Sequence, residues 1–94
     1  MTSKDRATLR ALAATEPCIL QVGKGGMNDN LIKAVSDALA ARELIKMRVL
    51  ETCELSPLEA AEILAEATGA AVVSTIGTRF VLYKKKEKDS KIGI

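Results

Sequence analysis

The chain has 94 residues, 48% of them hydrophobic, a formal net charge of +2 and no histidine. This length suits one domain with a single core, and the apolar content excludes disorder over most of the chain. The two cysteines are too far apart for zinc-site spacing and histidine is missing, so we expect neither catalysis nor a metal or other cofactor.

The first predicted element is a helix over residues 4–14, with Ser3 in position to cap it. Its narrow apolar stripe consists of Leu9, Leu12 and Ala13. Arg6 and Arg10 lie one turn apart on the outside of this helix, where a basic surface would need them.

A short apolar segment, residues 18–22, predicts a buried strand that runs into the turn Gly23-Lys24-Gly25-Gly26. Glycine lets a partner's backbone come close, and the helix that follows points unpaired N–H groups at the turn. With the charge of Lys24, these features predict an anion site, most simply for phosphate. The spacing fits neither a Walker loop nor a dinucleotide fingerprint, which leaves a Gly-x-x-Gly turn that clamps nucleic-acid backbone. A purely structural glycine turn is the alternative.

The next two elements are a helix over residues 29–41, capped by Asn28, and a strand over residues 44–50. Apolar residues of this strand alternate with Lys46 and Arg48, so one face is buried and the other is basic. Two long cations beside a glycine turn favour a nucleic-acid surface over a merely solvated strand face.

A third helix begins at a capping box, Ser56-Pro57-Leu58-Glu59, and ends at Gly69. Its predicted buried stripe comprises Leu58, Ala61, Ile63, Leu64, Ala65 and Ala67. Its outer side carries three carboxylates, Glu59, Glu62 and Glu66. We therefore expect this helix to point away from nucleic acid.

The remaining elements are a hairpin of residues 71–76 and 79–84 around a Gly77-Thr78 turn. The order of elements predicts an α/β fold, an α-β-α-β-α-β-β two-layer domain with a mixed four-stranded sheet. The last two helices should share one face, because parallel crossovers are right-handed. Residues 1–86 form this single domain, and residues 87–94 are expected to be a frayed basic tail.

Charge is distributed unevenly along the chain. Residues 51–78 carry five Glu and no Lys or Arg, whereas the remainder has a net charge of +7. This predicts one basic and one acidic surface on the same small body. No run approaches the ~20 apolar residues of a membrane span and no signal segment opens the chain, so we expect a cytoplasmic protein without membrane contact.

Four blocks, residues 21–27, 42–49, 68–70 and 76–83, resemble in sequence and order the CRM domain, named for chloroplast RNA splicing and ribosome maturation. The likeness covers roughly residues 3–86 and is closest to the stand-alone bacterial form. It implies a fold like the C-terminal domain of translation initiation factor three, with strand order 1-2-4-3 and the last strand antiparallel to the others.

The resemblance also implies RNA binding without catalysis, and an association with precursors of the large ribosomal subunit. It places RNA at the Gly-x-x-Gly turn, where Gly23 and Gly26 carry the match and Gly25 occupies a variable position. We interpret five nearby cations as further RNA contacts: Lys24, Lys46, Arg48, Arg6 and Arg10. The expected partner is ribosomal RNA, bound by a monomer.

Three other functions stay open at this point. A DNA-coating protein of similar layout would prefer duplex DNA. A protein-interaction module would dock through the acidic helix and leave the basic face idle. An enzyme has the least support, because the sequence shows no activated nucleophile, metal set or acid–base pair.

Overall fold

The computed structural model describes residues 3–23 and 28–84. Its elements are α1 (Ser3–Ala13), β1 (Cys18–Val22), α2 (Asp29–Arg42), β2 (Leu44–Val49), α3 (Pro57–Thr68), β3 (Ala71–Ile76) and β4 (Arg79–Tyr83). This order is the predicted one. The tail predicted for residues 87–94 lies outside the described residues. Over the described ranges, the helices are all too short or too polar to cross a bilayer.

The four strands form one mixed sheet in the order β1-β2-β4-β3. Strands β1 and β2 are parallel, and β4 runs antiparallel to both of its neighbours. The α/β class, the mixed sheet and the strand order expected from the family resemblance are therefore confirmed. Both edge strands are irregular, because the pairing skips Ile19 in β1 and Val73 in β3.

Helices α2 and α3 cover one face of the sheet, which we call the closed face. Its core consists of Val22, Val35, Leu39, Ile45, Met47, Val49, Ala60, Ala61, Leu64, Ala65, Phe80 and Leu82. The two helices share this face, as the right-handed crossovers predict. Burial of each large side chain in this cluster stabilises the fold by roughly 1.5–3 kcal/mol.

Helix α1 packs on the opposite face, which carries Leu44, Lys46 and Arg48 of β2 and which we call the open face. A second, smaller cluster holds the helix there: Leu9, Ala13, Leu44, Val73, Val81 and Tyr83. Because Leu44 pairs with Tyr83, α1 covers the end of the sheet where β2 begins. The predicted two-layer arrangement thus describes the closed face, and α1 adds a partial third layer.

The helix caps follow the sequence signals at two of three starts. Asn28 accepts a hydrogen bond from the Leu31 N–H at 2.8 Å, and Ser56 accepts one from the Glu59 N–H at 3.2 Å. Gly69 ends α3 with a φ of 76°, the left-handed conformation that glycine adopts without strain. Ser3, predicted to be a cap, is instead the first residue of α1.

Two predicted apolar stripes are wrong in part. Leu12 on α1 and Leu58 and Ile63 on α3 are 44%, 50% and 40% exposed. The residues that α3 buries are mostly small: Ala60, Ala61, Leu64, Ala65 and Thr68. These positions have helical spacing, and their small side chains let α3 lie close to both the sheet and α2. The prediction gave too much weight to the largest aliphatic side chains.

Candidate nucleic-acid interface

The glycine turn begins at one end of the sheet, where β1 and β2 finish and the β3–β4 turn lies. The Leu50 N–H donates to the Val22 carbonyl at 2.9 Å, and the Val49 N–H donates to the Thr78 carbonyl at 2.8 Å. Gly23 follows directly after Val22, so it stands at this end of the sheet. Three predicted site residues, Lys24, Gly25 and Gly26, lie outside the described residues.

Nothing in the described fold requires glycine at position 23. Its φ is not positive. A Cβ added there would lie 3.5 Å from Leu50 Cδ1, which is an ordinary van der Waals distance. Packing among the residues that the structure describes therefore does not explain the glycine at this position.

Arg48 stands at the same end of the sheet, on the open face, and pairs directly with Arg79 of β4. Both side chains are exposed. Neither forms an ion pair or a hydrogen bond through its side chain within the part of the chain that the structure describes. Like charges directly opposite on antiparallel strands are destabilising, with their Cβ atoms about 5 Å apart. Such a pair is a ready site for an anion that would offset the repulsion.

Lys46 differs from Arg48 although both leave the same side of β2, as predicted. Its side chain is half-buried, and its Nζ donates to the Ala13 carbonyl at 3.4 Å. Ala13 is the last residue of α1, so the lysine places positive charge at the negative end of that helix. Lys46 therefore has a structural role that the sequence did not indicate.

Arg6 and Arg10 are exposed on α1, which itself lies on the open face. The structure thus brings four predicted site residues, Arg6, Arg10, Lys46 and Arg48, to one side of the sheet. The three acidic side chains of α3 are exposed on the opposite side, because α3 packs on the closed face. The charged surfaces are separated by the sheet.

A groove of about 320 Å³ opens beside the arginine pair. It is lined by Lys46, Ser74, Ile76, Gly77, Thr78, Arg79 and Val81. Sequence reasoning missed Arg79 and Ile76 as candidates. The signal was available, because Arg79 alternates with the buried Phe80 and opens the strand predicted to lie beside β2.

Tyr83 is a buried titratable group on the open face. Burial raises the pKa of its phenol, and the carboxylates of Glu43 and Asp5 raise it further. The phenol therefore stays neutral at pH 7. It packs beneath α1 rather than lining the groove, so its role is in the core. The described residues contain no group of three metal-ligating side chains.

Comparisons with known proteins show which family the chain resembles. The family model of the CRS1 / YhbY (CRM) domain matches residues 1–84. The chain is 45% identical over 92 residues to "Probable RNA-binding protein YqeI" of Bacillus subtilis, covering 98% of this chain and 96% of that protein. It is 37% identical over 89 residues to "Probable RNA-binding protein MJ0652" of Methanocaldococcus jannaschii, covering 93% and 66% of the two chains.

A solved structure has the same fold. The solution structure of the hypothetical protein SAV1595 from Staphylococcus aureus superposes with a TM-score of 0.80 at 41% identity. The match covers 96% of this chain and 94% of that chain.

Proposed function

The chain belongs to the CRS1 / YhbY (CRM) domain family, and from that premise we propose that it binds structured ribosomal RNA during assembly of the large ribosomal subunit. The names of its relatives in Bacillus subtilis and Methanocaldococcus jannaschii point to RNA binding rather than to catalysis. RNA is therefore the class of partner, and the open face is the surface we assign to it.

The observation that carries the proposal is the pair Arg48 and Arg79, exposed on the open face and without a carboxylate partner among the described residues. Folding gains nothing from placing two guanidinium groups opposite each other. A phosphate between them accepts hydrogen bonds from both and removes the repulsion. Because a phosphodiester backbone supplies such anions in a row, the neighbouring cations can add further contacts.

The Gly-x-x-Gly turn is the second part of the proposed surface. Gly23 lies at the same end of the sheet as Arg48, and the described fold has room for a side chain where it has none. The sugar–phosphate backbone of the RNA could approach Gly23 closely and occupy the space that a side chain would fill. We assign Lys24, Gly25 and Gly26 to the same contact, with the unpaired N–H groups that open α2 as hydrogen-bond donors to phosphate.

Salt titration tests this proposal. Each phosphate contact to a single-stranded region contributes about 0.7 to the slope of log affinity against log salt concentration. Arg48→Ala should therefore flatten the slope by about 0.7, whereas Lys46→Ala should change it less, because the Lys46 ammonium group already donates to the Ala13 carbonyl. The measurement uses a ribosomal RNA fragment at four salt concentrations. Glu62→Gln on the closed side is the matched control, and its line should run parallel to that of the parent protein.

Two results would contradict the proposal. A salt-independent affinity for the parent protein would mean that phosphate is not what the open face binds. Tighter binding of duplex DNA than of the ribosomal fragment, at equal length and salt, would favour the DNA-coating alternative instead.

A further inference from the structure

The groove beside the arginine pair has an apolar part that phosphate binding does not explain. Its floor is Val81, which is buried, and its wall is Ile76, which is 71% exposed. An isoleucine so exposed contributes little to folding, since its apolar surface stays in water. The remaining described large hydrophobics are all more covered than this one. Ile76 therefore has apolar surface available to a ligand.

Arg79 lies directly opposite Ile76 across the hairpin, so the two side chains form one continuous surface at the mouth of the groove. A guanidinium group is planar and weakly hydrated, and it stacks on the faces of π-systems. The aromatic side chains that usually stack RNA bases are not available here. The chain has one Phe and one Tyr, and both are buried, at 1% and 7% exposure.

The other groups at the groove suit the edges of a nucleoside. Ser74 and Thr78 contribute hydroxyl groups, which both donate and accept hydrogen bonds. Base edges and the ribose 2′-hydroxyl likewise present both hydrogen-bond donors and hydrogen-bond acceptors. The volume of about 320 Å³ lies at the lower end of the range of roughly 300–1,000 Å³ for ligand pockets, which suits one nucleoside.

We propose that this groove holds one unstacked nucleobase of single-stranded RNA, which lies on the platform made by Ile76 and Arg79. The flanking phosphate lies between Arg48 and Arg79, whose Cα atoms are paired, and it accepts hydrogen bonds at the edge of the Arg79 guanidinium group while the base lies on the face of that group. This inference rests on the proposed function, because it names how the same open face binds the RNA beyond its phosphates. It adds a site for the base itself.

The experiment compares two ligands on four proteins. The ligands are a ten-nucleotide oligouridine, whose bases are unstacked, and the same ribose–phosphate chain without bases. The proteins are the parent, Ile76→Ser, Arg79→Lys and Arg79→Gln. Both positions are exposed, so the variants are expected to fold. Leu58→Ser and Arg42→Lys, exposed positions on α3 and α2, are matched controls for the same chemical changes.

We expect the parent to bind oligouridine at least fivefold more tightly than the baseless chain, because stacking of one base contributes substantially to affinity. Ile76→Ser should remove most of that preference and change the affinity for the baseless chain by less than twofold. Arg79→Lys should also remove most of the preference, because it weakens oligouridine binding more than binding of the baseless chain. Lysine keeps the positive charge of Arg79 but lacks the planar guanidinium group that stacks on a base. The two control variants should keep the preference of the parent.

Other outcomes separate this inference from the proposed function. If Arg79→Lys binds like the parent while Arg79→Gln weakens both ligands equally, Arg79 contributes only its charge to the phosphate contact and the base platform is wrong. The platform is also wrong if the parent binds the two chains equally, or binds a ribosomal fragment but not oligouridine. In each of these cases the proposed function stands. If the parent binds no RNA at all, the proposed function fails and the platform fails with it.

Discussion

The closed and open faces are made by the same four strands, but they differ in what covers them. On the closed face, two helices and the strands form a cluster that includes twelve buried residues. On the open face, α1 contributes only Leu9 and Ala13 to a cluster that includes six. The uncovered remainder of the open face carries Arg48 and Arg79.

The difference shows how a small domain can place the residues that stabilise it on one face of a sheet and the residues proposed to bind RNA on the other. Neighbouring residues of one strand point to opposite faces, so Lys46 and Arg48 share β2 with the core residues Ile45 and Met47. The closed face supplies most of the apolar burial. The open face can therefore carry repulsive charges, whose cost of at most about 1 kcal/mol per pair is small beside that burial.

The comparison predicts the largest effects for buried leucines. Leu64→Ala on the closed face should lower the free energy of unfolding by about 3–5 kcal/mol, through lost burial and the cavity left behind. Leu9→Ala, equally buried, should cost only about 2 kcal/mol, because α1 can detach while the larger cluster persists. Urea denaturation measures both. Equal losses would mean that α1 is as firmly integrated as α3.

The glycine turn is the next test. Gly26→Asp should weaken binding to a ribosomal RNA fragment at least tenfold, or about 1.4 kcal/mol, because it places negative charge where phosphate is expected. Gly26→Ala is the matched control, since it adds a Cβ without a charge. Melting curves of both variants check that the fold is intact. A folded Gly26→Asp protein that binds as tightly as the parent would make the turn structural.

Lys46 and Arg48 allow a comparison between a cation with a structural role and a cation that we propose to bind RNA. Lys46→Met should lower the free energy of unfolding by about 0.5–1 kcal/mol, because the Ala13 carbonyl loses a charged donor at the end of α1. Arg48→Met, on the same strand face, should stay within about 0.5 kcal/mol of the parent. Thermal unfolding compares the two variants. The assignment of Lys46 is wrong if the effects are equal.

The smallest effect is expected on the acidic side. The double change Glu62→Gln with Glu66→Gln should alter RNA affinity by less than about twofold, because salt screens exposed charges more than about 8–10 Å apart. The sheet separates these carboxylates from the open face. Direct titration at physiological salt is sufficient. A large loss of affinity would show that the RNA contacts α3.

The sequence predicted every helix and strand in order, and the family resemblance predicted how the strands are arranged. Local signals explain this success, since caps such as Asn28 and Ser56 and the Gly77-Thr78 turn act within a few residues. The position of α1 was not predicted, because the right-handed crossover rule applies to helices between parallel strands. Helix α1 precedes the first strand, so only tertiary packing places it.

The candidate site was predicted less completely, for a similar reason. Alternation within β2 predicted that Lys46 and Arg48 share a face, and the structure confirms it. The pairing of Arg48 with Arg79 and the contact of Lys46 with Ala13 join residues far apart in the chain. The spacing of apolar and polar residues within one helix or strand cannot predict contacts between different elements. The RNA-binding roles of these side chains and of the Gly-x-x-Gly turn stay predictions.

The irregular pairing of the two edge strands affects how this protein meets other copies of itself. An exposed edge strand offers a row of unpaired N–H and C=O groups, which a second chain can extend into an intermolecular sheet. In β1 and β3 one extra residue, Ile19 or Val73, interrupts that row and bends the strand, whereas β2 and β4 pair with each other without interruption. The irregularity is confined to the strands where aggregation would begin. The sheet is therefore regular inside and a poor template at both of its edges.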